Sequence, residues 1–167
     1  MGKISLARID ERLIHGQVML TLSQRDGVDS IFVVDDVVAK DPFMKDLYKS
    51  AGGRTGQKTI VIGTPKAKEY WDKYEFKDYQ CILLSKTVET MYDLVKHGLP
   101  IEELNVGGIS QKKPTDKRVT KAVYINEEHA KMFKDMNENY GVKNIYFQQT
   151  PSSEKVSLND VLKQFNL

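Results

Sequence analysis

The chain has 167 residues, 40% hydrophobic and 29% charged, which is enough to bury one full-sized core, so a single domain over residues 1–167 is expected. A formal charge of +2 without any long lysine or arginine run argues against a nucleic-acid partner, and no apolar stretch reaches membrane-spanning length. The single cysteine excludes an internal disulfide, and "MGKISLARI" lacks the apolar core of an export signal, so a cytoplasmic location is expected.

In chain order, the run "ISLAR" (4–8) reads as a strand. A charged corner follows, then a helix from about Gly16 that buries Val18 and Leu22. "SIFVVDD" (30–36) is the second strand. The helix "DPFMKDLYKSAGG" opens on Asp-Pro and stops at Gly-Gly. Strand "TIVIG" (59–63) leads into helix "TPKAKEYWDKY", and strand "QCILLS" (80–85) into "KTVETMYDLVKHG". The latter sets Val88, Met91, Tyr92 and Val95 at helical spacing and stops at Gly98. After strand "ELNVGG" (103–108), the stretch from Gly107 to Thr120 is rich in Lys, Gln, Pro and Thr and reads as a mobile loop. "KAVYI" (121–125) and "KNIYFQQ" (143–149) are the last strands; Asn126 caps the helix between them, and "SLNDVLKQF" offers a final short helix.

Most of the strand runs show little polar alternation, as befits strands covered on both faces. Strand and helix alternate throughout. The expected fold is therefore α/β: an open, twisted, mostly parallel sheet of about seven strands with helices on both faces.

In such sheets, sites form beyond the carboxyl ends of the strands. The richest corner is "LARIDERLIHGQVMLTL", which holds two of the five arginines, two acids and a histidine before a glycine. His15 falls at a helix start, where backbone N–H groups attract anions. Its ring nitrogen suits nucleophilic attack. Arg8 and Arg12 could clamp a phosphoryl group in bidentate fashion, Asp10 could orient the imidazole or an arginine, and Gly16 would permit close approach. The plainer alternative is an ion-paired rim with His15 as surface filler.

Other corners offer less. Asp35 and Asp36 could hold Mg²⁺ as in phospho-aspartate receivers, but the third strand ends in Gly63-Thr64 without an acceptor aspartate. Gly107-Gly108 could open N–H groups to a phosphate or make a tight turn. Cys81 lies mid-strand and reads as buried and inert, His97 suits a helix end, and His129 belongs to a charged helix. Three scattered histidines and one cysteine supply no metal-ligand set, and no cofactor is expected.

The string "ARIDERLIHGQV" resembles the phosphorylation-site signature of the enzyme IIB subunits of the mannose/fructose/sorbose family, part of the bacterial phosphoenolpyruvate-dependent sugar phosphotransferase system. "VVDDVVAKD" and "LNVGGI" extend the resemblance along the chain. It implies that His15 accepts a phosphoryl group from a phosphohistidine of the IIA subunit, usually on Nδ1. His15 would pass the group to a sugar held by the membrane subunits IIC and IID, with the protein attached peripherally through them. Arg8, Asp10 and Arg12 would surround the phosphohistidine, and Glu11 is left as solvated rim. The competing reading is a non-catalytic α/β module that holds an anionic small molecule at the same helix N-terminus.

Overall fold

The computed structural model describes all 167 residues. The first apolar runs become strands β1 (Lys3–Asp10), β2 (Ser30–Val34), β3 (Lys58–Ile62), β4 (Gln80–Ser85) and β5 (Glu103–Gly108). Between them lie α1 (Gly16–Ser23), α2 (Asp36–Lys40), α3 (Pro42–Gly53), α4 (Thr64–Tyr74) and α5 (Val88–His97). The remainder forms β6 (Lys117–Thr120), β7 (Val123–Ile125), α6 (Glu127–Asn139), β8 (Asn144–Phe147), β9 (Val156–Ser157) and α7 (Leu158–Gln164).

One seven-stranded sheet runs in the order β3-β2-β4-β1-β5-β8-β9. All its pairings are parallel except β8 with β9. Helices cover both faces. The larger apolar layer joins α4 to α7 with Ala7 and Ile9 of β1, and the smaller joins α1 to α3 with Leu6. The expected class is thus observed. The short helix α2 inside "VVDDVVAKD" adds an element that the sequence reading did not separate.

Two expectations are corrected here. "KAVYI" is not a strand of the main sheet: β7 pairs antiparallel with β6, and this ribbon packs on the main core and bridges to the chain just past β5 at Ile109–Val123. The seventh place goes to β9, a two-residue edge strand after the turn at Pro151 to Ser153. So short an edge also limits unwanted strand pairing. Residues 107–120 are likewise not one mobile loop. Gly107 and Gly108 end β5, 117–120 form β6, and the Asp116 carboxylate accepts from the Lys112 and Lys113 N–H groups at 2.9 and 3.1 Å.

The helix starts follow their capping residues. Asp41 accepts from Phe43 and Met44 N–H with Pro42 at the first turn, Thr87 accepts from Thr90, and Asn126 and His129 form a reciprocal capping box. On α1 the buried positions are Met19 and Ser23; Val18 and Leu22 are only half-buried. The face is turned because Leu13 and Ile14, from the preceding loop, already fill the core beneath the helix start.

The topology sets where the site lies. From β1 the chain moves to the β2 side, and after β4 it crosses over β1 to β5. The carboxyl ends of β1 and β5 therefore flank the crevice at which open α/β sheets bind ligands.

Candidate active site

Side chains alternate across a strand, so Leu6, Arg8 and Asp10 share one face of β1. Leu6 joins the apolar layer, while Arg8 and Asp10 carry that face to the strand end, both 1% exposed. A buried guanidinium needs acceptors for its N–H groups. Arg8 Nη1 donates to the Asn105 side chain and the Gln148 carbonyl, and Nη2 donates to Asp10 Oδ2 at 3.0 Å and the Gln149 carbonyl at 2.7 Å. The expectation that Arg8 clamps a phosphoryl group is therefore corrected. Its Nη donors are committed to the protein interior, and it fixes β1, β5, the end of β8 and Asp10 relative to one another.

The Gly-Gly of "LNVGG" has its explanation in the same contacts. A Cβ on Gly107 would overlap the Arg8 guanidinium, and one on Gly108 would lie 2.9 Å from Asp10 Oδ1 and 3.2 Å from Arg12 Nη2. The pairing register shifts between Ile9 and Asp10 as Gly107 bulges out of step. These glycines make room for the charged network at the end of β5 and do not form a tight turn.

Asp10 is the centre of that network. Oδ2 accepts from Arg8 Nη2 at 3.0 Å, Arg12 Nη2 at 2.8 Å and His15 Nε2 at 3.1 Å. Oδ1 accepts from the Arg12 backbone N–H and Nε, both at 3.0 Å. Burial would raise the Asp10 carboxyl, but the hydrogen bonds from His15 and Arg12 and the charge of Arg8 hold it well below the usual carboxylate range. Asp10 thus both orients the imidazole and anchors two arginines. Arg12, with its side chain 44% exposed, keeps Nη1 free of protein partners while Nε and Nη2 bind Asp10.

His15 is the N-cap residue of α1 in extended conformation, and its side chain is 20% exposed. Because Nε2 meets an ionised carboxylate, in the neutral ring it carries the proton and Nδ1 has the free lone pair. The tight corner is shaped by two residues with positive φ, Leu13 at +55° and Gly16 at +46°. The left-handed conformation costs a residue with a side chain about 1–2 kcal/mol, so Gly16 serves the backbone. A Cβ there would meet open space, which leaves the N-terminus of α1 uncovered.

Glu11 is not idle rim. Its Oε2 accepts from Ser110 N–H at 3.1 Å and Ser110 Oγ at 2.9 Å, and Oε1 pairs with Lys112. It ties the segment after β5 to the β1–α1 corner. Asn105, Gln148 and Gln149 also escaped the sequence reading. The one local signal for Asn105 was a polar residue in the otherwise apolar strand run "LNVGG", where it pairs in register with Arg8.

Two open depressions of about 430 Å³ flank the corner. One lies between Arg12, Ser110, Lys121 and Gln149; the other, bordered by His15, lies between the start of α1 and the end of α3. The paired acids are used elsewhere: Asp35 caps α2 through Val38 N–H at 2.9 Å, and Asp36 accepts from Thr64 N–H at 2.7 Å. Both carboxylates thus serve as helix caps. Cys81 is fully buried in β4, and burial pushes its thiol far above the ordinary range. His97 pairs with Asp72, and His129 pairs with Glu89 at its helix start, both away from the corner.

The sequence model of the PTS system sorbose subfamily IIB component matches residues 4–167. The chain is 35% identical over 140 residues to the sorbose-specific EIIB component of Lacticaseibacillus casei, 84% of each chain. It is 32% identical over 134 residues to the mannose-specific EIIAB component of Escherichia coli, covering 80% of this chain and 41% of that longer one. The crystal structure of manxB from Thermoanaerobacter tengcongensis superposes with a TM-score of 0.89 at 36% identity, over 99% of this chain and 98% of the other. With its sheet order, its Arg8–Asp10–His15 corner and this match over nearly its full length, the chain belongs to the sorbose subfamily of IIB components of the sugar phosphotransferase system.

Proposed function

We infer that this protein is a phosphocarrier, a protein-phosphohistidine–sugar phosphotransferase acting through His15, with residues 1–167 as one IIB domain. The observation that carries the reading is the His15–Asp10 contact: Nε2–H is held by a buried carboxylate, and Nδ1 is left as the nucleophile. Phosphoryl transfer asks for positioning and charge neutralisation more than covalent assistance. The Nδ1 lone pair attacks the phosphorus of a phosphohistidine on a IIA subunit. The Nδ1–P bond forms as the donor's P–N bond breaks, and the donor ring keeps that electron pair. No proton has to move: His15 retains Nε2–H, its ring becomes cationic, and Asp10 stabilises that charge. Arg12 shares Oδ2 with His15 and has Nη1 free to neutralise phosphoryl oxygens. Arg8 supports the step through Asp10.

In the second step a sugar hydroxyl oxygen attacks the phosphorus, the N–P electrons return to Nδ1, and the hydroxyl proton leaves to a base outside this chain. The sugar is held by IIC and IID subunits, which also keep this cytoplasmic protein at the inner face of the membrane. The exposed corner suits a residue that meets two macromolecules in turn, and no helix here is long and apolar enough to cross a membrane. The mannose-specific EIIAB relative, which matches this chain over 41% of its own length, supports IIA as the donor. No cofactor enters either step.

Incubation with phosphoenolpyruvate, enzyme I, the carrier HPr and IIA tests the reading. One acid-labile phosphoryl group is expected on the wild type and none on His15→Ala. A non-catalytic anion-binding module would acquire no covalent phosphate, and label retained by His15→Ala would remove His15 from the role.

A further inference from the structure

The geometry points to Arg54 as a further cation of the phosphoryl site, one that contacts the group while it rides on His15. This rests on the phosphocarrier reading.

The two ring nitrogens of an imidazole face nearly opposite edges. Since Nε2 is turned to Asp10, Nδ1 is turned away from it, and a phosphoryl group there projects from the far side of the ring. His15 does not line the depression that contains Asp10 and Arg12. It lines the other one, of about 430 Å³, together with Ile14, Leu20, Ala51 and Arg54. The free N-terminus of α1 opens into this space, and nothing stands within 4 Å of where a Gly16 side chain would begin. Backbone N–H groups there favour an anion but leave most of a phosphoryl group's two negative charges uncompensated.

Arg54 supplies the missing charge. Three of the five arginines are paired with carboxylates: Arg8 and Arg12 with Asp10, and Arg25 with Glu103. Arg54 and Arg118 have no carboxylate partner, and of these only Arg54 lines a cavity with His15. It is exposed at the C-cap of α3, fixed at its backbone by an N–H bond to the Gly52 carbonyl. The side chain is long, free and forked, which suits bidentate contact with phosphoryl oxygens. Arg12 lies on the Asp10 side of His15, where its Nη2 shares Oδ2 with the ring, and Arg54 meets the phosphoryl group from the α3 side. As the Nδ1–P bond forms and the donor P–N bond breaks, Arg54 gains its full interaction only when the phosphoryl oxygens reach His15. That timing accelerates transfer rather than merely tightening docking.

The alternative role for Arg54 is to complement the dipole at the end of α3, which lysine would fill equally well. The test compares wild type, Arg54→Gln and Arg54→Lys in single-turnover phosphoryl transfer from phospho-IIA, alongside urea unfolding and ³¹P NMR of each phosphoprotein. Arg54→Gln is expected to slow transfer about tenfold, equivalent to about 1.4 kcal/mol of barrier. Its unfolding midpoint should stay unchanged and its phosphohistidine resonance should shift. Arg54→Lys is expected to recover only part of the rate. Wild-type rate in Arg54→Gln, or full recovery by lysine with an unmoved ³¹P signal, would overturn the assignment of Arg54 and leave the phosphocarrier reading standing. Absence of label on the wild type would remove both.

Discussion

Replacing Asp10 with asparagine keeps the shape of the side chain and removes its charge and one acceptor oxygen. Five donors converge on this carboxylate: Arg8 Nη2, Arg12 Nη2 and His15 Nε2 on Oδ2, and Arg12 N–H and Nε on Oδ1. An amide in either orientation turns an NH₂ group toward at least two of them. Arg8, 1% exposed, also loses its only carboxylate partner. Breaking a buried ion pair from one side costs about 3–5 kcal/mol. Against a typical total of about 5–15 kcal/mol, the variant should fold with a sharply lowered urea midpoint and an unchanged slope. The pH dependence carries a sign. The folded-state value of Asp10 lies below its unfolded value of about 3.9, so its stabilisation is fully present above that pH and is lost as pH falls through the folded value. The gap between wild type and Asp10→Asn should be constant near neutrality and narrow below about pH 4. A loss under about 1 kcal/mol at pH 7, or a gap that widens on acidification, would refute the account of Asp10 as the counter-ion of a buried arginine.

Gly107→Ala drives a methyl group into the Arg8 guanidinium and should cost about 1–3 kcal/mol in urea unfolding; no loss would mean that Arg8 does not lie over β5. Arg12→Lys keeps the charge but not the fork, so rapid-quench phosphoryl transfer should slow, and wild-type kinetics would remove Arg12 from the site. Glu11→Gln breaks exposed contacts and should change stability by less than about 1 kcal/mol, yet hydrogen exchange at Ser110 N–H should quicken; unaltered exchange would show that Glu11 does not hold the segment.

The alternation of strand and helix was legible because the apolar runs up to residue 108 are long and, apart from the edge strand β3, buried from both sides, and helix starts such as Asp41-Pro42 and Asn126 carry their caps beside them. The misassigned strand shows the limit. "KAVYI" is as apolar as the others, but its partner is the neighbouring β6, while β9 has only two residues and no pattern of its own. The corner was legible in composition and not in division of labour. Arg8 and Arg12 look alike in "ARIDER", and which one is interior depends on Asn105 and the Gln148 and Gln149 carbonyls, 97 to 141 residues away. Glu11 was missed for the same reason, since its partner Ser110 lies 99 residues along the chain. A polar residue's local neighbourhood does not record which distant backbone will come to satisfy it.

The measurement that bears most directly on the central claim is NMR of the enzymatically phosphorylated protein with ¹⁵N-labelled histidine, in which all three histidines can be followed at once. Phosphorus coupling at Nδ1 of His15, with Nε2 still protonated and His97 and His129 unchanged, is the expected result. Coupling at Nε2 of His15, or at either of the other histidines, would contradict it.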